Sequence, residues 1–132
     1  MDDTDNRVEN ARNPHQNIHK RILAVCSASL LRSPTIAWVL SNPPYNCNTR
    51  CAGAVDYYAL QLIDLPLLCW CEEIVCADRS HEVVVEKKLK EFNLERPVHC
   101  LKIPDDYQYR DPDLVKMIHK ALERVGFRGT ST

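Results

Sequence analysis

An α/β fold is expected for this 132-residue chain: a four-stranded parallel sheet flanked by helices on both faces. Short apolar runs rich in Val, Ile and Leu alternate with longer segments of helical pattern, which is how parallel strands with crossover helices read. The runs are apolar on consecutive positions, as strands covered on both faces are. At this length one domain with a substantial core is expected.

The elements follow in order. Residues 1–19 are polar, with few apolar anchors, and read as a disordered N-terminal tail. Residues 20–127 read as the single domain and 128–132 as a flexible C-terminus. Arg21 to Cys26 (RILAVC) has the pattern of a buried parallel strand. Ser33-Pro34 marks a helix start, since proline suits the first turn, and TIAWVL forms the body. SNPPYN, from Ser41, reads as a loop because its two prolines oppose regular structure. Cys47 to Ala52 fits a second strand. Asp56 to Trp70 is helix-like, with an interruption expected at Pro66. Glu73 to Ala77 fits a third strand, His81 to Phe92 an amphipathic helix, and Pro97 to Ile103 a fourth strand. Pro104 to Pro112 is a loop rich in Asp and Tyr. Asp113 to Val125 is a well-patterned last helix, stopped by Gly126.

Composition narrows the function. The net charge of -1 gives no reason to expect nucleic acid as a partner, and no apolar run approaches a membrane span. The N-terminus lacks the apolar stretch of a secretory signal. Seven cysteines, an odd number without framework spacing, favour free thiols in a reducing compartment, so a cytoplasmic location is expected.

In such sheets, sites form at the carboxyl ends of the strands. Two loops with reactive side chains are expected to open there: Cys26 to Arg32 and Asp105 to Asp111. The first reads CSASLLRS. A strand, a loop of small residues and a helix N-terminus together direct backbone N–H groups and the positive end of a helix dipole at one point. A thiol at the mouth of that loop is placed to act as a thiolate nucleophile. Arg32 offers a planar fork for two oxygens of a tetrahedral oxyanion, and Ser33 a hydroxyl for the thiolate. That combination suits covalent phosphoryl transfer through a cysteinyl-phosphate. The plainer alternative is a buried strand cysteine beside a helix-start arginine. A proton donor for the leaving oxygen must come from the other side of the mouth. Asp105 and Asp106 are both candidates, with Tyr107 and Tyr109 able to flank an aromatic ring, against the simpler reading of a solvated Asp-rich turn.

CSASLLRSPT resembles the phosphate-binding loop of low-molecular-weight protein tyrosine phosphatases, C-x5-R-[ST] near the N-terminus. The resemblance covers about residues 20–127 and is nearest to a compact subgroup of predicted tyrosine phosphatases in bacteria and phages, which keep an N-T-R-x-A-G stretch like Asn48 to Gly53. It implies Cys26 as nucleophile, Arg32 as the phosphate ligand and Ser33 as the group that tunes the thiolate. Ser27, Ala28, Ser29, Leu30 and Leu31 would cradle the phosphate. Asp105 falls on the family's general acid and Tyr107 on its aromatic wall. The chain departs from the pattern at Ser29, where asparagine is usual, at Leu31, where many members have a second cysteine, and at Asp106, which replaces the proline of Asp-Pro.

The expected partner is a phosphorylated protein or a small aryl phosphate, with phosphate, sulfate or vanadate as site ligands. No metal or cofactor is expected, because Arg32 and the loop amides supply the charge a metal would otherwise supply. Two other functions use the same loop: an arsenate reductase, which needs relay cysteines, and a non-catalytic phosphate-recognition module. Cys69-Trp70-Cys71 with Cys76 could form a metal cluster, but the pattern favours core packing. Cys47 and Cys51 read as structural thiols, and His99 and His119 as packing or surface residues. His81 reads as a helix cap or surface residue, Trp38 as core, and Trp70 as a candidate for the substrate mouth. Lys87, Lys88 and Lys90 read as a solvated helix face.

Overall fold

The structure, a computed structural model, describes residues 19–26, 32–54, 63–104 and 110–129. Its elements are β1 (Arg21–Cys26), α1 (Arg32–Ser41), β2 (Asn48–Gly53), α2 (Leu65–Trp70), β3 (Glu73–Cys76), α3 (Arg79–Glu91), β4 (Val98–Cys100) and α4 (Pro112–Arg124). The strands form one four-stranded sheet in the order β2-β1-β3-β4, with every pairing parallel. The expected α/β architecture is therefore the one observed.

The side-chain alternation of β1 divides the core in two. Ile22, Ala24 and Cys26 join one apolar cluster with Ile36 and Leu40 of α1 and Leu114, Ile118 and Leu122 of α4. Leu23 and Val25 join the other, with Leu67 and Leu68 of α2 and Val85 and Leu89 of α3. Helices thus cover both faces, which is why β1 had to be apolar at consecutive positions.

Local chemistry sets the boundaries. Pro66 does not interrupt α2 but sits in its first turn, where the missing N–H has no partner to lose, and the Asp64 carboxylate caps that end by accepting from Leu67 N at 2.9 Å. α3 starts at Arg79, two residues before the expected start, because His81 caps it from within: its Nδ1 accepts from Asp78 N at 3.1 Å. The fourth strand is shorter than expected. Leu101 N and Ile103 N still donate to Cys76 O and Ala77 O, but Lys102 between them is left-handed at φ 57°, which ends the regular ladder. Gly126, at φ +71°, follows α4 as the expected stop.

No helix among the described residues is long and apolar enough to cross a membrane.

Candidate active site

β1 lies inside the sheet, between β2 and β3, and Cys26 is its last residue. The chain goes from β1 to one neighbour and later crosses to the other, so the carboxyl end of β1 is the point where the strand order reverses. Cys26 pairs in register with Gly53, and its carbonyl accepts from Ala54 N at 2.8 Å. On the other side, Ala77 N donates to Val25 O at 2.9 Å, and Ile103 N donates to Ala77 O at 2.6 Å. The ends of all four strands are thereby tied into one row, with Cys26 inside it. The thiol is buried, with 3% of the residue exposed, on the face covered by α1 and α4.

Helix α1 begins at Arg32, six residues on, so its N-terminus is held near the end of β1 by a short connection. Pro34 lies in the first turn of this helix, as the Ser33-Pro34 pattern predicts. Ser27, Ala28, Ser29, Leu30 and Leu31, and the acid and aromatic candidates Asp105, Asp106, Tyr107 and Tyr109, lie outside the described residues. So do the side chains of Arg32 and Ser33, whose backbone is helical.

The segment that carries Asp105 leaves the sheet after Ile103, at the same edge as Cys26, and returns at Arg110. Arg110 N donates to Thr35 Oγ1 at 3.0 Å, and its guanidinium lies over Trp38, 4.6 Å from the ring centroid. Both partners are on α1. The two reactive loops expected to share one sheet edge therefore start and end on adjoining elements. Sequence reading missed this tie, since nothing in a lone arginine seventy-five positions away marks Thr35 as its partner.

Asp78 also stands at this edge, directly after Ala77. Burial disfavours its charge, but the N–H groups of Arg79 and Ser80 and the Ser80 hydroxyl outweigh that and hold the carboxyl below its usual value. His81, buried beside it, is a cap, as one of the two sequence readings had it.

The remaining candidates lie elsewhere. Trp70 is at the opposite end of the sheet: its carbonyl accepts from Arg21 Nε at 2.6 Å, at the start of β1, and Arg50 packs over its ring. It does not line the mouth, because α2 runs back toward the amino ends of the strands. All seven cysteines are free thiols. Cys69 is exposed, while Cys71 is buried and donates to Leu68 O, so the Cys-Trp-Cys run splits between surface and core. Burial pushes the Cys71 thiol up to about 11 and that of Cys76 higher still. Cys76 pairs in register with Cys100 and faces α2 and α3, across the sheet from Cys26. Those two thiols are thus badly placed as a relay for Cys26.

No family model and no curated protein matches the sequence. Solved structures do match by shape. SP-PTP, a low-molecular-weight protein tyrosine phosphatase from Streptococcus pyogenes, aligns with a TM-score of 0.59 at 13% identity, over 80% of this chain and 93% of that one. A YwlE mutant from Bacillus subtilis aligns at 0.51 and 17% identity, over 80% and 93%. YwlE arginine phosphatase from Geobacillus stearothermophilus aligns at 0.47 and 17% identity, over 80% and 85%. With the strand order and the reversal point at Cys26, the first two of these alignments establish that the chain has the fold of the low-molecular-weight protein tyrosine phosphatase SP-PTP.

Proposed function

We propose that the protein is a cysteine-dependent phosphatase that hydrolyses phosphotyrosine or small aryl phosphate monoesters through a cysteinyl-phosphate. The observation that carries this reading is the position of Cys26 at the reversal point of the sheet, six residues before a helix that opens on Arg32. In the first step the Cys26 thiolate attacks phosphorus, an S–P bond forms and the P–O bond to the aryl group breaks. Asp105 gives its proton to the departing oxygen. Arg32 and the N–H groups of residues 27–31 hold the three non-bridging oxygens, whose charge grows in the transition state. In the second step water attacks phosphorus, the S–P bond breaks, and Asp105 takes the proton from water. Phenol and inorganic phosphate are released and the thiolate returns. Ser33 hydrogen-bonds that thiolate as it leaves, and Tyr107 lies against the aromatic ring. No step calls on a metal, and a reducing compartment such as the cytoplasm would keep Cys26 in the thiol form.

The test is hydrolysis of para-nitrophenyl phosphate at pH 5–7 with EDTA present, for wild type and Cys26→Ser. Turnover that survives EDTA and falls roughly ten-thousandfold or more in the variant is expected. Full activity in Cys26→Ser contradicts the covalent scheme. Vanadate binding without turnover in the wild type would favour a phosphate-recognition module, and thiol-dependent reduction of arsenate would favour a reductase. Asp105→Asn is expected to lose far more rate than Asp106→Asn, and the opposite order moves the acid by one residue.

A further inference from the structure

The sheet holds two cysteines side by side. Cys76 ends β3 and Cys100 ends β4, and the two are register partners in the parallel pairing of those strands. Among the described residues, no other register pair has cysteine on both strands. Neighbouring strands stand about 4.7–4.9 Å apart, within the roughly 4.4–6.8 Å between Cα atoms that a disulfide spans. Both thiols are on one face. Cys76 packs with Leu67, Val85 and Leu89 toward α2 and α3. Val98 packs against the same cluster and His99 turns the other way to meet Phe127, so Cys100 returns to the α3 face. Burial pushes both thiols up most of all. Cys100 itself adds to the rise at Cys76, Glu82 of α3 adds to it at both sulfurs, and the Lys102 N–H offsets part of it at Cys100. The two sulfurs therefore lie close to one another and to the same carboxylate. Cys76 is fully buried, whereas Cys100 is half-buried and open to small solutes.

We infer that Cys76 and Cys100 are a reversible dithiol–disulfide pair that fastens the edge strand β4 to β3 under oxidation. The inference stands apart from the phosphatase reading, since the pair lies across the sheet from Cys26. The oxidant is hydrogen peroxide, and the chemistry takes two steps. The Cys100 sulfur first attacks a peroxide oxygen. An S–O bond forms, the O–O bond breaks, the departing hydroxide leaves as water with the thiol proton, and Cys100 becomes a sulfenic acid. The Cys76 sulfur then attacks the Cys100 sulfur. An S–S bond forms, the S–O bond breaks, and the hydroxyl leaves as water with the Cys76 proton. In all, two thiols lose two electrons and one peroxide becomes two waters. A small dithiol reverses the process by attacking the Cys100 sulfur. Because both thiols stay protonated near neutral pH, the pair answers sustained oxidation rather than traces of peroxide. The bond closes the β3–α3–β4 unit on itself. Strand β4 has three residues and is paired on one side only, so it gains most from the fastening.

The test uses the full chain, reduced and then exposed to hydrogen peroxide in native buffer. Peroxide is removed, the remaining thiols are alkylated in denaturant, and the tryptic peptides are read by mass spectrometry. Trypsin cuts after Arg79 and Lys90, between the two cysteines, so their peptides stay together only through the bond, and fragmentation reads which cysteine carries it. The Cys76–Cys100 linkage is expected, released by dithiothreitol and absent from Cys100→Ser. Its yield should be about tenfold or more above that from protein oxidised in denaturant, where the fold no longer brings the two thiols together. The Leu101 amide donates to Cys76 O at 2.9 Å, and its hydrogen exchange should slow by about tenfold in the oxidised protein. A linkage no more frequent in the folded chain than in denaturant overturns the inference. So does peroxide that drives Cys100 to the sulfinic acid while Cys76 is still alkylated, or unchanged Leu101 exchange in fully linked protein. Should Cys100→Ser not fold, Cys76→Ala must lose the same linkage, and a linkage at Cys100 that survives it is equally contrary. None of these readouts needs phosphatase activity, so a chain that hydrolyses no ester leaves the inference in force.

Discussion

The two ends of the sheet are built differently. At the carboxyl ends, backbone bonds tie the strands into a row around Cys26, and the connections that depart there carry the side chains proposed to react. At the amino ends, side chains tie the chain to itself. Glu73 receives both Lys20 and His99, the latter at 2.7 Å. Lys20 Nζ also donates to Arg128 O at 3.1 Å and lies over the Phe127 ring, which His99 meets edge-on. Tyr45 stacks on His119 and approaches Phe127. Arg21 and Arg96 donate to Trp70 O and Cys71 O, the unpaired carbonyls at the end of α2. At the amino ends, then, these polar side chains are satisfied by one another and by backbone carbonyls. On the proposed reading, the chemistry and much of the polar fastening lie at opposite ends of the sheet, so damage at the two ends should be separable.

Ile118→Ala is the substitution that should break this separation. Ile118 is fully buried in the cluster that also holds Cys26, so the cavity destabilises the fold by about 2–5 kcal/mol and loosens the site from beneath. Denaturant unfolding and turnover should both suffer.

Gly129→Ala should sharpen it. A Cβ on Gly129 would stand 2.3 Å from Tyr45 O and 2.5 Å from Tyr45 Cα, against backbone rather than a movable side chain. A loss of roughly 1–3 kcal/mol is expected from the forced shift, with kcat at 25 °C unchanged. A matching fall in kcat would show that the two ends are coupled.

The smallest effect is expected of Glu73→Gln. Burial pushes the Glu73 carboxyl up, but hydrogen bonds and charge from Lys20 and His99 outweigh it, so the net shift is below the usual 4.5. A carboxylate with a lowered folded value stabilises the fold above its unfolded value and loses that contribution as pH falls through the folded one. Wild type should thus exceed Glu73→Gln by about 1–2 kcal/mol at pH 7. The gap should persist down to about pH 4.5 and close below it. A gap that widens in acid would contradict this account of the pair.

The sheet was legible because burial on both faces writes itself into consecutive apolar residues, as in RILAVC, and β1 spans the residues that pattern marks. That Cys26 ends a strand and that a helix opens around Arg32 and Ser33 was legible because strand, loop and helix start are local in sequence. The helix start at Leu65 was not legible, because a proline inside an apolar run marks only a break until Asp64 is recognised as the cap before it. Trp70 was misplaced because an aromatic residue at a helix end gives no sign of which end of the sheet that helix reaches. The Arg110–Thr35 tie and the Lys20–Glu73–His99 group were invisible, since each joins residues far apart in the chain through contacts that only the strand order creates.

The central claim is that Cys26 forms a covalent bond to phosphorus. The direct measurement is acid-quenched turnover of an aryl phosphate by Asp105→Asn, which should slow hydrolysis of the intermediate, followed by mass spectrometry of the peptide that contains residues 24–32. Phosphate attached to Cys26, and absent when Cys26→Ser is combined with Asp105→Asn, is the result this account predicts. Steady turnover with that peptide never phosphorylated, or with the phosphate on another residue, would contradict it.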